Sequence, residues 1–290
     1  MVILLGSAGV TLTNIFYLFP NAMSSHNTQI AQNIESKILL ARSGQHPAIL
    51  LAGGSNVLMG LRAETMSALL RRPVYNLGLV NEGGDYRNVL TLLEASAEPG
   101  DMVLISSRGF FGNPVTSTNP IAVRVQDRNF LFEADYKGLS LSDKSILRML
   151  ISPVQQPLGY YERRGTPNGN GDLNVCLTDR PVQAPLVPVA VDTGGFVQSH
   201  ADFFKRMKER GVIVYFLTPD MLIQSKDATS WWDRHLDLRA KFGHFGGQWI
   251  PTDLEQTLSS SPEEFCDSAL HPNAQRALLK SQTVAKELAH

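Results

Sequence analysis

Residues 48–56 of the chain read AILLAGGSN. The apolar run 48–52 is short and continuous, which is typical of a strand buried on both faces of a parallel sheet. Two glycines end the run, and a helical pattern follows as far as Leu70. This stretch therefore predicts a buried strand that turns sharply into a helix, with Ser55 at the turn.

The same alternation of strand and helix recurs along the chain. We predict further strands over 74–79, 102–106 and 212–217, and helices over 30–43, 86–96, 200–210, 228–241 and from Pro272 onward. Strands and helices that alternate at this spacing indicate an α/β protein with a parallel sheet. The stretch from about 112 to 198 is rich in turns and extended segments. We therefore predict one domain with a large insertion.

The composition is that of a globular protein with a sizeable core. The chain has 290 residues, of which 43% are hydrophobic and 18% charged, and its formal net charge is −1. A near-neutral chain lacks the basic field that non-specific nucleic-acid binding requires, so we expect no nucleic-acid partner. The same composition excludes intrinsic disorder and a disulfide-scaffold protein.

The spacing of cysteine and histidine contains no metal-binding motif. Cys176 and Cys266 form no CxxC pair, and the seven histidines form no HExxH motif. We therefore predict no metal site and no cofactor. The two cysteines either form one disulfide, in an oxidising compartment, or are two buried thiols.

The first twenty residues contain no charged side chain. As a helix this stretch spans roughly 28 Å, close to the thickness of a bilayer core, but it lacks a basic n-region. It is either a signal anchor of a membrane-anchored or exported protein, or a buried first element of a cytoplasmic one. The predicted organisation is a hydrophobic segment over 1–28 and one α/β domain over 29–290, with the insertion at about 112–198.

Ser55 lies at the predicted carboxyl end of a strand, where open α/β sheets place their sites. Backbone N–H groups at the start of the following helix point outward and favour negative charge. A serine at this point can be a nucleophile and contribute to its own oxyanion hole. The alternative is a structural role, because serine is also a preferred N-cap residue.

A second group of candidate residues lies near the end of the sequence. Asp267 precedes His271 by four residues, and Pro272 follows at the predicted start of the last helix. A serine hydroxyl needs a base to remove its proton, and the base works best when a carboxylate fixes its tautomer. Taken alone, Asp267 and His271 are typical of a cap or surface pair. Together with Ser55 they predict a catalytic triad.

Several other polar residues are weaker candidates. Asp220 follows a predicted strand, Asp233 and His235 lie on a predicted helix, and His244 lies in a glycine-rich loop. We interpret these four as residues of a polar helix face or a loop.

The blocks around Ser55 and His271 resemble the first and last blocks of the SGNH (GDSL-like) hydrolase superfamily. The spacing from Asp267 to His271 is one residue longer than in standard members of that family. More narrowly, the chain resembles the SGNH-like proteins of bacterial cell-surface polymer acylation, which act on teichoic acids and exopolysaccharides. The resemblance covers most of residues 47–111 and 211–288.

This resemblance implies a three-layer α/β/α sandwich with a mainly parallel, flavodoxin-like sheet. It also implies acyl-ester chemistry through an acyl-serine. Ser55 would attack the acyl group, His271 would shuttle the proton, and Asp267 would orient His271.

The resemblance further implies an oxyanion hole with three donors. The first is the N–H of Ser55, and the second is a glycine N–H, for which Gly78, Gly83 and Gly84 compete; we favour Gly83. The third is an asparagine directly after a strand, a place where this chain has no asparagine, and Asn113 lies further on. Loss of one such donor lowers turnover by about 10²–10³-fold, which argues against efficient generic hydrolysis. The alternatives for the third donor are Asn56, Ser107 and Arg108.

The leading hypothesis is a serine-dependent acyl-ester hydrolase or O-acyltransferase. Its substrate would be an acyl ester or an acylated cell-surface carbohydrate, and membrane association and envelope-assembly partners would follow from the narrower resemblance. The alternative is a catalytically inactive SGNH-like binding or assembly component of an envelope polysaccharide machine, which the irregular third block and the large insertion favour. A nucleotide-binding domain is disfavoured, because the chain contains neither GxGxxG nor GxxxxGK[ST].

Overall fold

The computed structural model describes residues 34–79, 86–107, 123–125, 128–130, 167–173, 182, 185–186, 194–244, 246–252 and 257–289. The segment 1–28, Gly83 and Asn113 lie outside these residues, so what the sequence predicts for them stays a prediction. The chain divides into two compact units, one formed by 1–35 and 118–164 and the other by 36–117 and 165–290.

The described elements follow one another in a largely alternating order. The strands are β1 (Ile49–Gly53), β2 (Val74–Asn76), β3 (Met102–Ser106), β4 (Val123–Val125), β5 (Arg128–Phe130), β6 (Ile213–Phe216), β7 (Met221–Leu222), β8 (Gln248–Trp249) and β9 (Leu258–Ser259). The helices are α1 (34–43), α2 (Ser55–Gly60), α3 (Ala63–Leu70), α4 (Tyr86–Ser96), α5 (Gly194–Glu209), α6 (Ala228–Gly243) and α7 (Ala274–Leu288).

Of the first unit, the structure describes the antiparallel pair β4–β5. In the second unit, five strands form a parallel sheet in the order β2-β1-β3-β6-β8. Numbered among themselves, these strands have the order 2-1-3-4-5 of flavodoxin-like sheets, whose ligand crevice lies at the carboxyl ends of the first and third strands. The predicted α/β class with a parallel sheet is confirmed.

One face of the sheet is covered by α2, α3 and α7. Alternate residues of a strand point to opposite faces, and the register pairs Leu51 of β1 with Leu104 of β3. These two leucines and Ile49 belong to one buried cluster with Met66 of α3 and Val284 of α7. This cluster fixes the helices that flank the carboxyl end of β1.

The opposite face is covered by α4, α5 and α6. Phe216 of β6 lies on this face, and its ring centroid is 5.1 Å from that of Phe204 on α5 and 4.4 Å from that of Phe242 on α6. An ion pair of 2.6 Å between Arg206 and Glu94 joins α5 to α4. The unit is therefore a three-layer α/β/α sandwich, as the resemblance noted in the sequence implies.

The helical stretch after Ser55 differs from the prediction, because it consists of two helices rather than one. The backbone is extended at Leu61 and Arg62, and the carboxylate of Asp172 caps α3 by accepting hydrogen bonds from Ala63 N–H at 2.8 Å and Glu64 N–H at 3.1 Å. The capping residue is distant in sequence, so no local pattern marks this break.

Among the residues that the structure describes, no helix is both long enough and apolar enough to cross a membrane.

At the amino-terminal end of the sheet, His46 is paired with the buried carboxylate of Asp101. Its Nδ1 lies 2.9 Å from each carboxylate oxygen, and its Nε2 lies 3.0 Å from the carbonyl oxygen of Ala41. Burial lowers the pKa of His46. The hydrogen bond and charge of Asp101, the hydrogen bond to the Ala41 carbonyl and the charge of Glu98 together outweigh burial, so the pKa is raised above its ordinary value. Both ring nitrogens face acceptors, so the structure favours the imidazolium.

This pair makes stability depend on pH. Because the pKa of His46 is higher in the folded chain, its contribution is complete below the ordinary value of 6.5 and is lost as pH rises through the folded-state pKa. We expect the difference in unfolding free energy between wild type and His46→Gln to shrink as pH rises above 6.5, in chemical denaturation. His244→Gln, which changes an exposed histidine, is the control. A difference that is constant with pH would contradict this account.

Candidate active site

Ser55 is the first residue of α2, directly after the turn that follows β1. The N-cap residue is Gly54, and its carbonyl oxygen accepts hydrogen bonds from the N–H groups of Val57 at 3.0 Å and Leu58 at 3.2 Å. Ser55 is therefore not the residue that caps the helix, and its half-buried hydroxyl takes part in another contact, described below.

The turn before Ser55 requires glycine at position 53. A Cβ atom built on Gly53 would lie 1.9 Å from the carbonyl oxygen of Ser106 and 2.6 Å from a methyl group of Val57. The side-chain amide of Asn56 donates to the carbonyl oxygen and to the hydroxyl of Ser106, each at 3.2 Å. The start of α2 is thereby held against the end of β3.

Residues 265–272, which we call the histidine turn, precede α7. Its base is closed by an antiparallel bridge between Phe265 and Pro272. The N–H of Cys266 also donates to the carbonyl oxygen of His271 at 2.8 Å. These contacts fix the main chain on both sides of the imidazole.

Neighbouring elements hold the histidine turn in place. Asn273 is the N-cap of α7: its Oδ1 accepts from the N–H of Arg276 at 2.9 Å, and its own N–H donates to the carbonyl oxygen of Glu264 at 2.7 Å. On the other side, the N–H of Leu222 in β7 donates to the carbonyl oxygen of Ala269 at 2.8 Å. The turn is thus anchored both to the last helix and to β7, the short strand that follows β6.

Ser55, His271 and Asp267 form one hydrogen-bonded array. Nε2 of His271 lies 2.7 Å from Oγ of Ser55, and Nδ1 lies 2.5 Å from Oδ1 of Asp267. The side chains of His271 and Asp267 are 11% and 7% exposed, so little water reaches their hydrogen bond. The carboxylate favours the tautomer with its proton on Nδ1, which leaves Nε2 as an acceptor for the hydroxyl proton of Ser55.

Of the three favoured oxyanion donors, the structure describes one, the N–H of Ser55. It belongs to the first turn of α2, where N–H groups have no acceptor within the helix. The N–H of Gly78 is engaged elsewhere, because it donates to Oδ1 of Asn76 at 3.0 Å. Gly83 and Asn113 lie outside the described residues, so their proposed roles rest on the sequence.

His235 lies in a buried site of its own. Its Nδ1 is 2.9 Å from Oγ1 of Thr218, and burial, with the charges of Arg239 and Lys280, lowers its pKa to about 4. The ring is therefore neutral at pH 7, and it hydrogen-bonds the segment that follows β6.

The other weaker candidates are also outside the array. Asp220 is buried and lies 3.4 Å from Nε of Arg276 and 3.1 Å from Nζ of Lys280. Asp233 and His244 are exposed.

A buried polar network, which no local sequence pattern predicts, holds the carbonyl groups at α2. The side-chain amide of Asn76 donates to the carbonyl oxygens of Val57 and Leu61 at 3.1 and 3.2 Å, and to Oδ1 of Asp172 at 3.1 Å. Nζ of Lys37 donates to the carbonyl oxygen of Asn76 at 2.6 Å. Burial lowers the pKa of Lys37 to about 8, against the raising effect of Asp172. Lys37, Asn76 and Asp172 are too far apart in sequence for this network to appear as a motif.

Cys266, the second residue of the histidine turn, is disulfide-bonded. The other cysteine of the chain, Cys176, lies outside the described residues. The sequence left open either one disulfide or two buried thiols, and the structure contains the disulfide. Cys266 also packs against Leu58 and Met59 of α2, so it contacts the helix that carries Ser55.

We expect reduction of this disulfide to destabilise the protein. A cross-link between distant residues restricts the unfolded chain, and its loss costs about 2–4 kcal/mol. The measurement is the denaturant midpoint of wild type with and without a phosphine reductant. Cys266→Ala is the matched control, because its midpoint should already be lowered and should not respond to reductant. An unchanged wild-type midpoint after complete reduction would contradict the prediction.

Within the described part of the chain, no group of three or more His, Cys, Asp or Glu side chains is placed to hold a metal ion.

No protein-family model matches the chain, and no curated protein matches its sequence. Among solved structures, it is similar to a Streptococcus pneumonia protein named for platelet activating factor, at 11% identity and a TM-score of 0.45 over 98% of this chain and 99% of that one. It is also similar to a lipase/acylhydrolase from Enterococcus faecalis, at 11% identity and a TM-score of 0.39 over 83% and 95% of the two chains. It is also similar to an acetyl xylan esterase from Butyrivibrio proteoclasticus, at 11% identity and a TM-score of 0.33 over 85% of this chain and 63% of that one.

The chain's own strand order gives it a flavodoxin-like α/β fold. The likenesses above are too remote to assign an activity.

Proposed function

We propose that the chain is a serine-dependent acyl-ester hydrolase or O-acyltransferase. The observation that carries the proposal is the array of Ser55, His271 and Asp267, with contacts of 2.7 Å and 2.5 Å on the two nitrogens of one imidazole. A nucleophile, a base and an orienting carboxylate in this order are what acyl transfer through a serine requires.

In the first half-reaction, Oγ of Ser55 attacks the acyl carbonyl carbon while Nε2 of His271 takes the hydroxyl proton. Asp267 stabilises the imidazolium that forms. The carbonyl oxygen becomes an oxyanion, which the N–H of Ser55 stabilises, with Gly83 and Asn113 as further proposed donors. The tetrahedral intermediate collapses when Nε2 returns the proton to the leaving alcohol, and the acyl group stays on Ser55.

In the second half-reaction, Nε2 of His271 takes a proton from the acceptor while the acceptor oxygen attacks the acyl carbon. The bond from that carbon to Oγ of Ser55 then breaks, and Nε2 returns the proton to Oγ. If the acceptor is water, the products are a carboxylic acid and the resting enzyme. If it is a sugar hydroxyl, the product is a new ester. Hydrolase and transferase therefore use the same three residues and differ in what reaches the acyl-serine first.

The proposed substrate is an acyl ester or acylated carbohydrate of the cell surface. Export agrees with the disulfide at Cys266, because disulfides persist in oxidising compartments and are rare in the cytosol. The uncharged segment within 1–28 would then serve as the signal anchor that holds the protein at the membrane. The resemblance to proteins of surface-polymer acylation supports this choice of substrate and envelope-assembly partners.

The experiment is an acyl-partition assay. The protein is given a short-chain acyl ester, with and without an oligosaccharide acceptor, and free acid and acylated sugar are both measured. Free acid alone identifies a hydrolase, and acylated sugar identifies a transferase. An inactive assembly component gives neither product above the rate of His271→Ala, and that result would contradict the proposal.

A further inference from the structure

We infer that Arg276 is a positioning residue that holds the histidine turn, and with it His271, in register with Ser55. The inference deepens the proposed function and rests on it, since it assigns a role toward the same imidazole. Arg276 lies in the first turn of α7 and does not itself belong to the hydrogen-bonded array.

The side chain of Arg276 contacts the residues at the start of the histidine turn. Nη1 donates to the carboxylate of Glu264, and the guanidinium carbon lies 5.4 Å from the centroid of the Phe265 ring. Its backbone N–H donates to Oδ1 of Asn273, the residue that follows the turn. One residue therefore contacts both ends of the loop that carries Asp267 and His271.

The same guanidinium also contacts the segment between β6 and β7. Nε lies 3.4 Å from Oδ2 of Asp220, whose other oxygen lies 3.1 Å from Nζ of Lys280. Asp220 follows β6, and β6 pairs with β3, the strand beside β1. Arg276 thus connects the turn that carries the base with the sheet that carries the nucleophile.

The charges of this cluster show why Arg276 can be changed without loss of the fold. The side chains of Asp220 and Lys280 are each 3% exposed, so the buried acid keeps a buried cation when Arg276 is replaced. The carboxylate of Glu264 is 41% exposed and can return to water. What is lost is the connection between the turn and the sheet.

A shift of about 1 Å in a catalytic group can lower turnover about 10²-fold. We therefore expect Arg276→Met, which keeps an unbranched apolar stem, to lower kcat about 10–100-fold and to leave KM within about twofold. Arg276→Lys should restore part of the loss, because one ammonium replaces only part of the planar fork of donors. The matched control is Arg206→Met, which removes a surface arginine paired with Glu94 on the opposite layer.

Two measurements test the inference. The first is the proton spectrum of the Nδ1–H that His271 shares with Asp267, assigned by its absence in His271→Ala. This downfield signal should persist in Arg206→Met and shift or broaden in Arg276→Met. The second is kcat in a double-mutant cycle, in which Arg276→Met should cause no further loss once His271 is alanine.

The outcomes separate this inference from the proposed function. An unchanged Nδ1–H signal in Arg276→Met overturns the positioning role, as does an equal loss of kcat with and without His271. If wild type turns over no ester, the proposed function fails, and the proton spectrum alone then decides the role of Arg276.

Discussion

Ser55→Ala should lower ester turnover by about 10⁴–10⁶-fold and leave the fold intact. The loss is expected because the hydroxyl 2.7 Å from Nε2 of His271 is the proposed nucleophile, and alanine removes it without adding volume. Ser55 is not the N-cap of α2, so its replacement removes no helix cap. The measurement is kcat for a short-chain acyl ester, with a thermal unfolding curve to show that the variant is folded.

Ser67→Ala is the matched control for this variant. Its hydroxyl is also partly buried, and it donates to the carbonyl oxygen of Arg72 at 2.9 Å, away from the array. The control should keep wild-type kcat. Turnover that survives in Ser55→Ala would show that another group carries the acyl chemistry.

Asp267→Asn should lower kcat by about 10⁴-fold, with a much smaller effect on KM. The carboxylate lies 2.5 Å from Nδ1 of His271 and fixes the tautomer whose Nε2 accepts the serine proton. An amide can donate to Nδ1 and so stabilise the wrong tautomer, and it cannot neutralise the imidazolium. The measurement is steady-state kinetics on the ester used for Ser55→Ala.

Asp237→Asn is the matched control, because it also replaces a carboxylate that is paired with a residue four positions later. Asp237 forms an ion pair with Lys241 at 2.6 Å on the exposed side of α6, the same i,i+4 spacing that separates Asp267 from His271. It should have wild-type kcat. Equal kcat in Asp267→Asn and wild type would contradict the assigned role of Asp267.

The elements that the sequence predicts best are those defined by local pattern. The continuous apolar runs predict β1 and β3, and the amphipathic stretch over 86–96 predicts α4 with the bounds observed. The three residues of the array were found in the same way, because Ser55 follows a strand and His271 precedes a helix. The contact between Ser55 and His271, which are 216 residues apart, is seen only in the structure.

Very short elements and features that depend on residues distant in sequence could not be predicted. The strands β7, β8 and β9 have two residues each, too few for a period to appear. The break before α3 depends on Asp172, which lies in the stretch interpreted as an insertion. The contacts of Arg276 with Asp220 and Glu264 join separate parts of the chain, and nothing in their local sequence marks them.

The most direct test of the central claim is the intact mass of the protein after reaction with a fluorophosphonate probe. We predict a single adduct on wild type, none at this site in Ser55→Ala, and much slower labelling in His271→Ala, since the base that activates the hydroxyl is then absent. Peptide mapping should locate the adduct on Ser55. Folded wild-type protein that gains no adduct, or gains it equally fast in all three proteins, would contradict the claim that His271 activates Ser55.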